Sequence, residues 1–506
     1  MRRSAALSRV WRRVHASAAS VLAGVSLPFA FAPFNLFPLA VVAPAALFAL
    51  WERASRREAF LRGWLFGLGM FGFGVSWVHE SFQYSNVAPA LALGLTALLV
   101  GFLALFPGLL GYLAASTAKA AQATRLLLLL PAGWVVTEWV RGWFLTGFTW
   151  LQLGYSQAET PLRSLATLFG VYGVSWCLAL LAGGLVLALR KGGRARLIYL
   201  GAAVVLLAGS YGLARVQWTE ARDHTIELAL VQGNVPQDQK WLPNQRQPTV
   251  ERYFALTEGH WNADLIVWPE SSLPGFLHDF IPALSRLADE VEKHGSAILL
   301  GVDVLDRRTQ HYFNSVLSIT PQLGFYHKRH LVPFVEYLPL EHMLRPAVDL
   351  LSLPVSDFSQ GPSRQPPVAV AGESVGVSVC YEFAFGEEII EALPQATLLV
   401  NVSNDAWFGD SIGPHQNLEM VRMRAVETGR YLARATNTGI TAIIGPTGDI
   451  KERLPPFETG VLSAEVSAMR GSTPYVRMGN MPVLIGLAAT LAVAAIGIRR
   501  ETRRLR

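Results

Sequence analysis

Three stretches place residue types that can carry nucleophilic chemistry at the ends of strand-like segments. In Glu373-Ser-Val-Gly-Val-Ser-Val-Cys380-Tyr381-Glu382 the valines alternate with small residues, which reads as a buried β-strand delivering Cys380 to its C-terminal end. A turn and a helix-like Glu387-Glu388-Ile389-Ile390 follow, and a strand end of this kind is a usual place for a nucleophile. The plainer reading is a cysteine acting as a small buried hydrophobe. Asp264-Leu-Ile-Val-Trp-Pro-Glu270 is a second buried strand, and it ends in a carboxylate that packing does not need. The run from Phe325 through Lys328 to Glu336 puts a lysine and another carboxylate after a third strand-like segment. A thiol reacts as the thiolate and needs a base, a part Glu270 can play. Lys328 can lower the thiol pKa and hold the oxyanion of a tetrahedral intermediate, while Glu336 can orient the lysine or move a proton. On residue types alone the alternatives stay open. Lys328, beside Arg329 and His330, also fits a solvated basic run, and Glu336 fits a turn cap.

The elements that must hold these residues alternate between strand and helix over about 220–470. Strand-like runs are Thr225–Val231, Asp264–Trp268, Ala297–Val304, Asn314–Ile319, Val375–Val379, Thr397–Val402 and Thr441–Ile444. Helix-like runs are Pro282–Lys293, Phe385–Leu393 and Gln416–Ala433. Alternation on this scale predicts a layered α/β domain. Pro339–Pro367 has little periodicity and lies inside the domain, so it reads as a long functional loop. Its Leu350, Leu351, Leu353 and Phe358 would suit a lid that dips into an apolar interface.

The rest of the chain is of a different kind. Of 506 residues, 51% are hydrophobic and only 16% charged, which points to membrane spans. Eight candidates follow in order: 21–34, 36–51, 60–79, 87–115, 124–142, 165–189, 196–214 and 481–498. The first could instead be a signal peptide, since Ala30-Phe31-Ala32 resembles a cleavage site, but a second apolar run follows almost at once. Basic residues mark alternate connections: the N-terminal tail, Arg53 to Arg62, Lys119 with Arg125, Arg190 to Arg196, and Arg499 to Arg506. These connections hold 20 of the 43 Lys and Arg residues and three of the 37 acids, leaving 23 bases against 34 acids elsewhere. The net charge of +6 is therefore a topology signal and not a nucleic-acid one. It predicts both termini in the cytoplasm and the segment from about Val216 to Asn480 outside it. Glu138 and Arg141 are expected at the interface or paired inside the bundle. With only Cys177 and Cys380, and Cys177 in an apolar run, no disulfide framework is expected, and the 11 scattered histidines give no sign of a metal site.

Trp-Pro-Glu270, Lys328 and Val-Cys380-Tyr-Glu resemble the Glu-Lys-Cys triad of the nitrilase superfamily. With eight spans, the chain is similar to the apolipoprotein N-acyltransferase family. Further matching stretches are Gln232-Gly-Asn-Val-Pro-Gln with Lys240-Trp241, Phe313-Asn314-Ser315, His327 to Tyr337, and Asn401-Val-Ser-Asn-Asp-Ala-Trp-Phe-Gly409. The resemblance implies an α-β-β-α sandwich at 218–478 facing the periplasm of a bacterial inner membrane. Residues 1–217 would hold seven spans, and 479–506 the eighth span with a basic cytoplasmic tail. It implies a ping-pong transfer without cofactor or metal. Glu270 would be the base, and Cys380 would attack a phospholipid ester at the sn-1 chain, with phosphatidylethanolamine the expected donor. Lys328 would stabilise the oxyanion. The thioester would then pass its acyl group to the α-amine of a diacylglyceryl-cysteine apolipoprotein. Glu336, Tyr381, Glu382, Trp241 and Asn314 are marked as supporting residues, although Trp241 also fits a packed aromatic. The enzyme is expected to be a monomer. Two rivals remain: a membrane-anchored amide or nitrile hydrolase, for which eight spans would be excessive, and a transporter or receptor with a degenerate binding module, against which the intact triad argues.

Overall fold

The computed structural model describes residues 2–504 apart from 86, 118, 119, 321, 322 and 352–354. Leu353 of the expected lid, and Lys119 and Arg506 of the basic connections, lie outside the described residues. The chain divides into two compact units: 1–79, 88–216 and 478–506 form one, and 80–87 with 217–477 the other.

The first unit is helical. Among the described residues, five helices are long and apolar enough to cross a membrane: Pro89–Ser116, Gln122–Arg141, Pro161–Lys191, Gly193–Leu213 and Met481–Arg499. A sixth span results if Arg56–Gly74 and Trp77–Tyr84, bent by 50°, count as one. These six coincide with the last six of the eight expected spans. The first two regions differ from expectation. The N-terminal helix, Arg2–Ser26, takes in the basic tail, and Leu39–Trp51 is only 13 residues long. Glu138 and Arg141 are both buried in this unit. Each finds its own partners: Glu138 accepts from Trp134 Nε1 at 2.8 Å and the Leu153 amide at 2.9 Å, and Arg141 donates to the carbonyls of Phe148 and Trp150. That meets the requirement that a charge out of water be hydrogen-bonded.

Helices in apolar surroundings gain stability from close backbone approach, which small residues permit. A Cβ placed on Gly63 would lie 2.2 Å from the carbonyl oxygen of Pro107 on the helix Leu105–Ser116. At Gly94, by contrast, a Cβ would meet nothing within 4 Å.

The second unit is a two-sheet sandwich. Its strands begin with β1 (Thr219–Gln232), β2 (Leu265–Val267), β3 (Leu273–Phe276), β4 (Ala297–Asp306), β5 (His311–Ile319) and β6 (Gly324–His327). Next come β7 (Val368–Val370), β8 (Glu373–Val379), β9 (Leu398–Ser403), β10 (Leu432–Thr436), β11 (Ala442–Ile444), β12 (Ile450–Arg453) and β13 (Gly460–Gly471). One sheet runs β13-β1-β2-β4-β5-β6, with β3 beside β4, and the other β12-β11-β10-β9-β8-β7. β1, β2 and β4 are mutually parallel, as are β8, β9 and β10. Strand alternation divides the core. Leu228, Leu230, Leu265, Val267 and Leu299 meet Val375, Val377, Val379, Val400 and Ala433 between the sheets. Ala229, Val231, Ile266, Trp268 and Ile298 face the other way, onto Val250, Phe254, Leu287 and Val291. Those four lie on the helices Arg246–Thr257 and Ile281–His294. The helix Gly413–Thr428 packs on the opposite sheet, giving the expected four layers.

Two expectations need correction. The helix read as Gln416–Ala433 stops at Thr428, where Gly429 takes a left-handed φ of 63°, and Leu432 already starts β10. Gly429 is the αL terminator that continuous apolar patterning hid. The segment 339–367 is not all loop, since Glu341–Leu350 is helical. Substituting Gly63→Val should lower the thermal stability of the detergent-solubilised protein by ~1–3 kcal/mol, the cost of overpacking. Gly94→Val should leave it unchanged, and equal melting of both variants would contradict the close approach.

Candidate active site

Most of the expected site residues converge at strand ends of the sandwich. β2 runs through Trp268 and Pro269 to Glu270, which is buried. One carboxylate oxygen accepts from Asn314 Nδ2 at 2.7 Å and the other from the Asn404 amide at 2.8 Å. Asn314 comes from β5 in the same sheet, and Asn404 follows β9 in the other. The base candidate is therefore gripped from both sheets. Lys328, directly after β6, is 1% exposed; its Nζ donates to Glu336 Oε1 at 2.8 Å and stands 3.8 Å from Glu270 Oε1. Glu336 also accepts from Asn314 Nδ2 at 3.2 Å and from the Val332 amide at 2.8 Å. The solvated-run reading of Lys328 is excluded by this burial.

Cys380 directly follows β8 with φ +49°, a left-handed conformation that is strained for a side chain with a Cβ. It is partly buried. Burial and the charge of Glu270 push its thiol up to about 12, and Lys328 offsets only part of the rise. The lysine thus favours the thiolate, as expected, but does not outweigh burial and the charge of Glu270. For Lys328 the balance is opposite. Burial disfavours the ammonium, yet the charges of Glu336, Cys380 and Glu270 together hold its pKa above the ordinary lysine value.

Glu382 is a bracket. It accepts from the amides of Val379 at 2.7 Å, Arg329 at 2.7 Å and His330 at 3.2 Å, and from the Tyr326 hydroxyl at 3.0 Å. One carboxylate thereby ties the cysteine turn to the lysine loop. Tyr381 is buried, with its ring edge-on to His330 and Phe385. Trp241 is not a packed aromatic: it is 43% exposed, its ring 6.0 Å from Lys240 Nζ.

Three participants escaped the reading of residue types. Lys240 is 1% exposed and donates to the main-chain carbonyl of Glu270 at 3.1 Å. Burial pulls its ammonium down to about 8, with Glu270, Asp303 and Cys380 opposing the fall. Asp303, on β4, is buried too, and burial with the charge of Glu270 pushes it up to about 8. Asn404 is the third. Lys240 and Asn404 lie in stretches quoted above for their resemblance, while Asp303 sits at the far end of an apolar strand with only its charge as a signal.

Comparison with known proteins agrees with this geometry. Residues 227–475 match the carbon-nitrogen hydrolase family model, and residues 23–184 match that of the apolipoprotein N-acyltransferase N-terminal domain. The apolipoprotein N-acyltransferase of Methylococcus capsulatus is 47% identical over 482 residues, which cover 94% of this chain and 95% of that one. That of Vibrio cholerae is 42% identical over 488 residues, covering 94% and 96%. The chain belongs to the apolipoprotein N-acyltransferase family. It is an acyltransferase, built on a carbon-nitrogen hydrolase fold. Among solved structures, a CN-hydrolase superfamily protein from Xanthomonas campestris covers 48% of this chain and 91% of its own at 22% identity, with a TM-score of 0.37.

Two outcomes test the site as a member of this family. Glu382→Gln turns an amide NH2 toward backbone donors, so about 1–3 kcal/mol of local stability is lost. Acyl transfer should fall at least tenfold while the protein still folds; unchanged activity would remove the bracket role. For Asp303 the folded pKa of about 8 lies above the ordinary 3.8, so the folded state holds the proton more tightly. Its stabilising effect is complete below about pH 4 and is lost as pH rises toward 8. Asp303→Asn should therefore flatten the decline of melting temperature between pH 5 and 8, and should stabilise the protein at pH 8 by on the order of 1 kcal/mol or more.

Proposed function

We propose that the protein transfers an acyl chain from a membrane phospholipid to the α-amine of a diacylglyceryl-cysteine apolipoprotein through a thioester on Cys380. The observation that carries this is the Glu270 carboxylate, held by Asn314 and the Asn404 amide beside the Lys328–Glu336 pair, next to the turn that presents Cys380. A neutral thiol needs a base only when an ester carbonyl is in place, and Glu270 takes its proton at that moment. Sulfur attacks the carbonyl carbon, and Lys328 stabilises the oxyanion. The tetrahedral intermediate collapses, the lysophospholipid alkoxide leaves, and Glu270 returns the proton to it. The acceptor amine then attacks the thioester, and its surplus proton returns through Glu270 to the cysteine sulfur. A thioester suits the second step because it reacts with amines far more readily than an oxygen ester does.

On this reading Glu270, Lys328 and Cys380 are catalytic. Glu336 orients Lys328, Asn314 orients Glu270, Glu382 and Tyr381 shape the turn, and exposed Trp241 lines the entrance. The alternation of basic connections supports both termini in the cytoplasm and the sandwich on the periplasmic side of the inner membrane. A monomer is the proposed state. The divisions at 1–217, 218–478 and 479–506 follow from that topology. Exposed Leu340, Met343, Leu350 and Leu351, on and around the helix Glu341–Leu350, suit contact with lipid. Phosphatidylethanolamine, cleaved at the sn-1 chain, is the proposed donor. The test is intact-mass spectrometry of the purified chain incubated with phosphatidylethanolamine and no acceptor. One acyl group should add to Cys380, be absent from Cys380→Ala, and disappear when a diacylglyceryl-cysteine peptide is supplied. An unmodified Cys380 under these conditions would overturn the reading.

A further inference from the structure

Asp303 on β4 and Asn314 on β5 are direct cross-strand partners, so their side chains leave the same face of the sheet side by side. Both are more than nine-tenths buried. Asn314 directs its amide nitrogen at the carboxylates of Glu270 and Glu336, which can only accept, and this fixes Oδ1 as its other end. Asp303 Oδ1 and Asn314 Oδ1 are both buried, and neither accepts a hydrogen bond from any described group of the protein. Buried acceptors without donors are rare and costly. Here two stand together beside the base candidate. The charges of Glu270, Lys240, Glu336 and Lys328 all act on Asp303, so it belongs to the same charged cluster. Lys240 does not fill the need, because it donates to the main-chain carbonyl of Glu270 instead.

Two adjacent acceptors, one of them a carboxyl, fit a ligand group that donates several N–H bonds and carries positive charge. A phospholipid ester offers no such donor at its reacting carbonyl, whereas the acceptor of the second half-reaction offers a primary amine. We propose that Asp303 Oδ1 and Asn314 Oδ1 form the subsite that receives the acceptor's α-amine and aims it at the acyl-thioester; this rests on the transfer reading above. The amine arrives as an ammonium ion. Binding of the cation stabilises the ionised form of Asp303, whose own proton leaves to solvent; the first proton of the ammonium then passes to that carboxylate and leaves the nitrogen lone pair free to attack the thioester carbon. The C–S bond breaks as the C–N bond forms, the second proton goes through Glu270 to the cysteine sulfur, and Asp303 is left protonated as it began. Burial holds the Asp303 carboxyl near the pH at which a free α-amine itself titrates, about 8, so the first transfer is close to balanced.

The two half-reactions separate this subsite from the reading it rests on. In the full chain, Asp303→Leu should raise the KM for a diacylglyceryl-cysteine peptide at least tenfold, with Asp303→Asn intermediate. Acylation of Cys380 by phosphatidylethanolamine should fall by less than the transfer step in both. Equal losses in the two steps, or an unmoved acceptor KM, would overturn the subsite. A wild-type enzyme that forms no Cys380 adduct would instead overturn the transfer reading. A measurement independent of variant folding uses the unsubstituted enzyme. A peptide analogue with hydrogen in place of the α-amine should compete at least tenfold more weakly than an N-blocked-free, amine-bearing one, and equal competition would count against the subsite.

Discussion

The site depends on keeping several ionisable groups out of water without letting them neutralise one another. Glu270, Glu336, Lys328, Lys240, Asp303 and Cys380 form one cluster of mutually interacting charges, and charge there is stable only where a partner stands within hydrogen-bond reach. Lys328 has such a partner in Glu336, so it stays an ammonium ion. Glu270 has Asn314 and the Asn404 amide. Cys380 has no comparable stabilisation, and burial with the charge of Glu270 holds its thiol pKa up. The surroundings thus disfavour the thiolate in the absence of a carbonyl that will receive it.

The sandwich supplies the rigidity such a network needs. Glu270, Asn314 and Lys328 come from one sheet, while Cys380 and Asn404 come from the other. A shared apolar layer of leucines and valines fixes the separation of the sheets. The hydrogen bond from Asn404 to Glu270 and the four bonds converging on Glu382 then set the register of the strand ends to within a bond length. The strained backbone at Cys380 is tolerated because Glu382, two residues on, is anchored at both sides.

Much of this is legible in the amino-acid sequence. Alternation at Val375, Val377 and Val379 located the cysteine strand, and the run to Trp-Pro-Glu270 located the base, because buried strands leave a period-two trace and terminal polar residues interrupt it. The long apolar runs marked off the helical unit from the alternating strands and helices of the sandwich. What stayed hidden has physical reasons. Lys240 and Asp303 become significant only through burial, which residue type does not report. β10 and β13 lack clear boundaries, and the helix before β10 runs into it with Gly429 as the sole stop. The first two apolar regions looked like spans by composition, although one forms a helix of only 13 residues.

The assignment of Glu80–Val87 to the sandwich unit carries a consequence for how the protein can be taken apart. The ring of Tyr84 stands edge-on to Trp407, 6.2 Å away, in the stretch that follows Asn404. The polypeptide therefore enters and leaves the catalytic unit twice, once for a few residues and once for the long segment 217–477. A gene fragment cut to the contiguous segment would be missing a piece of its own surface. Trp407 would lose its aromatic cover next to the loop that holds Glu270, so the excised module would be incomplete at the edge closest to its chemistry.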